Sequence, residues 1–131
     1  MRVEDAVNAT RAAREEGVIA GGGTALFDAA VQLADLPESL AGDERFGAEI
    51  ALEACKAPAR QIADNAGAEG AAVLARMAEL PLGTGYDAAH GNFVDMIEAG
   101  IIDPLRVTRS ALDAAFSVAG TTLLTEVANT K

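Results

Sequence analysis

The chain has 131 residues, a formal charge of −10, half its residues apolar and no tryptophan. That is room for one compact domain, and it offers no basic, aromatic-rich surface of the kind nucleic acid requires. The negative balance also argues against anionic membrane surfaces, no apolar run approaches the ~18 residues of a membrane span, and a single cysteine, Cys55, precludes an internal disulfide. The core must rest on Ala, Leu, Val and Ile, which favours close-packed helices. One cysteine and no apolar signal region in Met1-Arg2-Val3-Glu4-Asp5 fit a reducing, cytoplasmic setting. That start opens directly in a helical pattern without a cap, as a piece of a longer chain would.

Residues 2 to 16 read as a helix, with Val3, Ala6, Val7, Thr10 and Ala13 on one face and Arg11, Arg14 and Glu15 outside. Gly17 is its stop. After the connector Val18-Ile19-Ala20, three glycines, Gly21 to Gly23, open a helix running to about Ala34. Its wet stripe is Thr24, Asp28, Gln32 and Asp35; its dry one is Leu26, Phe27, Ala30, Val31 and Leu33. A loop over 36–42 precedes a third helix that starts at Asp43 or Glu44 and carries the polar row Arg45, Glu49, Glu53 and Lys56. Pro58 either kinks that helix or begins a new one. Residues 58–66 and 68–79 read as two further helical pieces divided by Gly67, the second with Val73, Leu74, Met77 and Leu80 on its dry face.

Pro81 to Gly85 end that run. Tyr86–Ala89 and Asn92–Val94 then flank a His90-Gly91 turn as a small hairpin. Met96 to Ala99 form one helical turn. Asp103-Pro104 reads as a helix start, carboxylate at the N-cap and proline at the first position. The last helix extends to about Glu126, with Leu112, Ala115, Phe116, Ala119 and Leu123 on one face. The fold expected is therefore mainly α: a bundle of about six helices with a small β-hairpin.

Few residues carry chemistry by type and spacing alone. The glycine run presents bare N–H groups at a helix start, suited to an anion, a sugar hydroxyl or another backbone. Asp5 reads as an acid in a first helical turn. His90 is an exposed turn histidine with no second metal-type ligand at helical spacing, and Cys55 a small buried hydrophobe rather than a nucleophile. Tyr86 is hairpin packing. The acidic excess forms a solvated face, not a metal cluster, and no nucleophile–base set is visible.

The order of motifs says more. A-A-x-E-E-x-x-x-x-G-G-G over 12–23 is accompanied by Arg2-Val3-Glu4-Asp5-Ala6, Ala57-Pro58-Ala59-Arg60-Gln61-Ile62 and Gly85-Tyr86-Asp87-Ala88-Ala89. Asp95-Met96-Ile97, Gly100-Ile101-Ile102-Asp103-Pro104, Val107-Thr108-Arg109-Ser110-Ala111-Leu112 and Ser117-Val118-Ala119-Gly120 follow. In this order the chain resembles the bacterial group I chaperonins over its whole length, and specifically the C-terminal part of a subunit. The resemblance implies that residues 1–16 are the last intermediate-domain helix and residues 17–131 the C-terminal half of the ATP-binding, ring-forming equatorial domain.

It further implies a catalytic role for Asp5, placing the attacking water near the metal-bound γ-phosphate. Gly21 and Gly22, the latter foremost, match the ribose-side backbone contact, and Asp103 the acceptor of the ribose hydroxyls. Asp87, Ala88 and Ala89 fall where the family brackets adenine. The family's Asn becomes Asp87, which keeps acceptor capacity for the N6-amino group and loses the donor. ATP and Mg are the cofactors of the full-length family protein. The family's phosphate loops, a Gly-Pro-rich turn and an Asp-Gly-Thr-Thr run, do not occur in the sequence. The chain alone is therefore expected to bind ATP weakly or not at all, not to turn it over, and to form a homo-oligomer. The rest of the subunit, co-chaperonin and unfolded proteins are partners only in the full-length context. The alternative is an autonomous helical oligomerisation or interaction module without nucleotide chemistry.

Overall fold

Gly17, with φ +94°, turns the chain into the first of two small antiparallel sheets in a computed structural model that describes residues 4, 17–114 and 117. Strand β1 (Val18–Ala20) is followed by helix α1 (Thr24–Gln32), a 3-10 turn (Leu36–Ser39), α2 (Gly42–Asn65) and α3 (Gly70–Met77). Strands β2 (Thr84–Asp87), β3 (Asn92–Asp95) and β4 (Ile102–Pro104) come next, and residues 105–114 are helical. The described residues are mainly helical, as the apolar periodicity requires. The expected helix over 2–16 and the positions Ala115, Phe116, Ala119 and Leu123 lie outside the described residues, except Glu4, which is helical.

Helix α1 organises the packing. On one side Phe27 (2% exposed) joins Ala59 and Ala63 of α2 and Val73 and Met77 of α3, with Tyr86 and Phe93 against them. On the other, Leu26 and Ala30 meet Leu52 and Cys55 of α2, with Leu112 leaning in. Small residues let these helices approach closely. A Cβ at Gly23 would sit 2.5 Å from the Ala59 backbone nitrogen, and Gly23 also holds φ +76°. Glycine is required there twice over, once by space and once by conformation.

Proline does not divide α2. Pro58 lies inside one helix of 24 residues. It removes the N–H owed to the Ala54 carbonyl, but Ala54 is exposed, where water can serve that oxygen. Gly67, at φ +84°, then turns the chain, and the Asp64 carboxylate accepts the Gly70 N–H at 2.8 Å at the start of α3.

The hairpin is present, but its first strand is shifted two residues toward the N-terminus, so Ala88 and Ala89, expected in that strand, fall in the turn. Its register is Thr84↔Asp95, Gly85↔Val94, Tyr86↔Phe93 and Asp87↔Asn92, with residues 88–91 as the turn. Tyr86 and Phe93 meet across it as a tilted pair, ring centroids 5.3 Å apart and planes at 59°, a pairing that adds about 0.5–1.5 kcal/mol beyond burial. A single turn does follow β3, where Ala99 N–H donates to the Asp95 carbonyl at 3.0 Å. The second sheet pairs β1 with β4 in the register Val18↔Pro104, Ile19↔Asp103, Ala20↔Ile102.

Two local expectations are corrected. Thr24 is fully buried rather than on a wet stripe, because the hairpin lies over that face of α1. Asp103 is not an N-cap: strand pairing with Ile19 holds it extended, and helix begins at residue 105.

Candidate functional site

The glycine turn before α1 gathers three distant stretches. Gly21 N–H donates to the Ile101 carbonyl at 2.8 Å, and the Gly21 carbonyl accepts Thr24 N–H at 3.0 Å. A Cβ on Gly21 would come within 3.0 Å of the Ile102 carbonyl carbon, so backbone crosses backbone there. Gly22, at φ +63°, faces the hairpin: a Cβ would lie 3.0 Å from Met96 Cε and 4.0 Å from the Tyr86 carbonyl oxygen. Gly21 and Gly22 are thereby set beside the Ile101–Asp103 stretch and beside the residue preceding Asp87. Of the three glycines, Gly23 serves helix packing and Gly21 is tied to Ile101. Gly22, only partly buried, is the one whose lack of a side chain is not taken up by another backbone.

Asp87 is the knot of the hairpin turn. Its carbonyl accepts from His90 N–H at 3.2 Å and Gly91 N–H at 2.7 Å. Its carboxylate takes the Ala89 N–H at 3.1 Å on Oδ1 and meets His90 Nδ1 at 2.7 Å on Oδ2. The side chain is 12% exposed while that of His90 is 76% exposed. The His90 hydrogen bond holds the Asp87 carboxyl below the usual carboxylate range, against a smaller desolvation effect. His90 is thus the exposed turn histidine the sequence indicates, with a partner that spacing alone did not name. Both Asp87 oxygens are engaged within the turn, which leaves the backbone of Ala88 and Ala89 as its more accessible part.

Asp103 sits in β4 opposite Ile19, half-buried, and burial pushes its carboxyl above the ordinary range. Cys55 is 1% exposed, and burial pushes its thiol up, so it is packed and unreactive. Asp5 lies outside the described residues. Among the described residues no three of His, Cys, Asp and Glu gather as a metal site. A groove of about 450 Å³ between Pro37, Arg45 and Leu52 shares no residue with this cluster.

Two contributors escape sequence reasoning. Asp28 Oδ2 accepts the Gly83 N–H at 2.8 Å, and burial, partly offset by that bond, raises its carboxyl above the ordinary range. Thr24, one turn earlier on α1, has its buried hydroxyl against Gly85 with no hydrogen-bond partner among the described residues. Helical periodicity placed both on a wet face; only their i, i+4 spacing hinted at one shared neighbour.

The TCP-1/cpn60 chaperonin family model matches residues 1–127. Among solved structures, the chain is similar to the open-state monomer of a group II chaperonin from Methanococcoides burtonii, with TM-score 0.75 and 26% identity. It is also similar to a group III chaperonin in the open state, with TM-score 0.76 and 34% identity. Each match covers 86% of this chain, which spans 29% and 24% of those two chains respectively.

Proposed function

Because this chain belongs to the TCP-1/cpn60 chaperonin family, we propose that it forms the base and ribose side of the nucleotide pocket of an ATP-dependent protein-folding chaperonin. The carrying observation is the glycine turn, where Gly21 bonds to Ile101 and Gly22 abuts the Tyr86 carbonyl and Met96. Three motif stretches, far apart in sequence, thereby lie side by side. In this reading Gly22 admits the ribose to the backbone, Gly21 supports it through its bond to Ile101, and the Asp103 carboxylate accepts from the ribose hydroxyls. Ala88 and Ala89 bracket adenine through their backbone. Asp87 acts by shaping the turn, since both its oxygens already have partners.

Asp5 is the proposed positioner of the attacking water. Mg-ATP would supply the electrophilic phosphoryl group, and the chain's share of the chemistry is orientation. On the motif A-A-x-E-E-x-x-x-x-G-G-G we assign the chain to the bacterial, group I type, acting in the cytoplasm, although the similar solved structures are of groups II and III. Residues 1–16 correspond in this reading to an intermediate-domain helix and 17–131 to an equatorial half. Homo-oligomerisation belongs to the same proposal, and so does folding of unfolded proteins with a co-chaperonin by the longer protein.

Complementation tests this. The chain is mixed with the complementary remainder of a chaperonin subunit, and phosphate release from Mg-ATP is followed. Hydrolysis should arise only in the mixture and be abolished by Asp5→Ala. Hydrolysis unaffected by that substitution would contradict the assignment. A second reading, a helical interaction module, draws on the exposed Leu82, Ile97 and Val107 (58%, 54% and 52%). It predicts concentration-dependent association with no effect of nucleotide at any position.

A further inference from the structure

We propose that Asp28 is a positioning residue that seats the β2–β3 hairpin, and with it the Asp87–Gly91 turn, on the helix that begins at the glycine turn. Its carboxylate reaches across 55 residues of sequence to the Gly83 N–H at 2.8 Å. Gly83 is where the hairpin closes, because its carbonyl accepts the Met96 N–H at 3.0 Å from the far side of β3. One residue thus joins the open ends of the two strands through its carbonyl, and Asp28 ties its N–H to α1.

Thr24 completes the seat one helical turn away. Gly85 carries no side chain, and a Cβ there would collide with the Thr24 hydroxyl and lie 3.0 Å from Met96 Cγ. Met96 is fully buried, and its Cε abuts Gly22. Helix α1 therefore acts as a common ruler. Its first residue follows Gly21–Gly23, its Thr24 and Asp28 fix the hairpin, and Met96 fills the space between. A two-stranded hairpin is marginal by itself, so its turn is positioned only as well as these attachments allow. The Asp28 carboxylate accepts a backbone N–H at Gly83, so the link is a charge-assisted hydrogen bond.

The link to nucleotide rests on the reading of the preceding subsection, and the experiment separates the two. Amide hydrogen exchange is measured by NMR in the full chain for wild type, Asp28→Asn and Asp28→Leu, without nucleotide and with saturating ADP. Asn keeps an acceptor oxygen and Leu removes it at similar size. Asp28→Leu should speed exchange at Gly83 by roughly tenfold or more, the loss of a charge-assisted hydrogen bond. Asp28→Asn should restore protection, and Ala59 and Ala63 amides in α2 should be unchanged in both. ADP-induced shifts at Ala88 and Ala89 should weaken in the Leu variant and return in the Asn variant. Gly83→Ala, at a position with φ +87° and open space around it, should loosen the same hairpin without altering α1. Unchanged Gly83 exchange in Asp28→Leu overturns the proposal. Faster exchange together with no ADP shift in wild type upholds the seat and overturns the nucleotide reading.

Discussion

Asp87 responds to pH in the opposite sense from Asp28 and Asp103. Asp87 is held below the ordinary range, chiefly by its His90 hydrogen bond, so it contributes stability above the unfolded pKa of about 3.9. That contribution is lost as pH falls through the lower folded value. Asp28 and Asp103 are raised by burial, so their stabilising share is present below about 3.9 and is lost as pH rises through the folded value. At neutral pH their charged forms are a cost. Urea midpoints should therefore show Asp103→Asn no less stable than wild type at pH 7, with that advantage shrinking on acidification. Asp87→Asn should be less stable at pH 7, with a difference that narrows at acid pH. An Asp87→Asn chain as stable as wild type at pH 7 would show that the turn does not depend on this carboxylate.

Packing at the level of elements is decided by small residues. Gly23 lets α1 touch α2 backbone to backbone, so Gly23→Ala faces both a steric conflict and a left-handed φ. Overpacking of this kind costs about 1–3 kcal/mol before the backbone strain is added, and a thermal midpoint well below wild type is the expected outcome. Phe27→Ala should cost about 3–5 kcal/mol by opening a cavity among Ala59, Ala63, Val73 and Met77, read as a lower urea midpoint with little change in slope. The hairpin was legible because His90-Gly91 is a local turn signal, but its first strand was not placed correctly, since Thr84 and Gly85 read as the end of the helical run and pair instead with Asp95 and Val94. The unbroken α2 was not legible, since only three dimensions show that Ala54 is exposed and its carbonyl can meet water. Thr24 and Asp103 misled for the same reason. Each sits on a locally polar pattern overridden by a partner distant in sequence, Gly85 for one and Ile19 for the other.

For the whole molecule, family membership was readable in the motif order, because several short matches in sequence order constrain more than any one of them. How the motifs meet was not readable, because the contact between Gly22 and Met96 depends on where α1 lays the hairpin. Exposed Phe46, Leu82, Ile97 and Val107 leave apolar surface that association would cover. Sedimentation should show the weight-average mass rising with concentration, and a fixed monomer mass throughout would remove the homo-oligomer proposal. The central claim is that the glycine turn, the hairpin turn and β4 form one nucleotide-facing surface. Mapping amide shifts of the chain on titration with ADP tests it most directly. Binding should be weak, with the shifts confined to Gly21, Gly22, Ala88, Ala89 and the residues around Asp103. Shifts dispersed over α2 and α3, or none at all at saturating ADP, would contradict it.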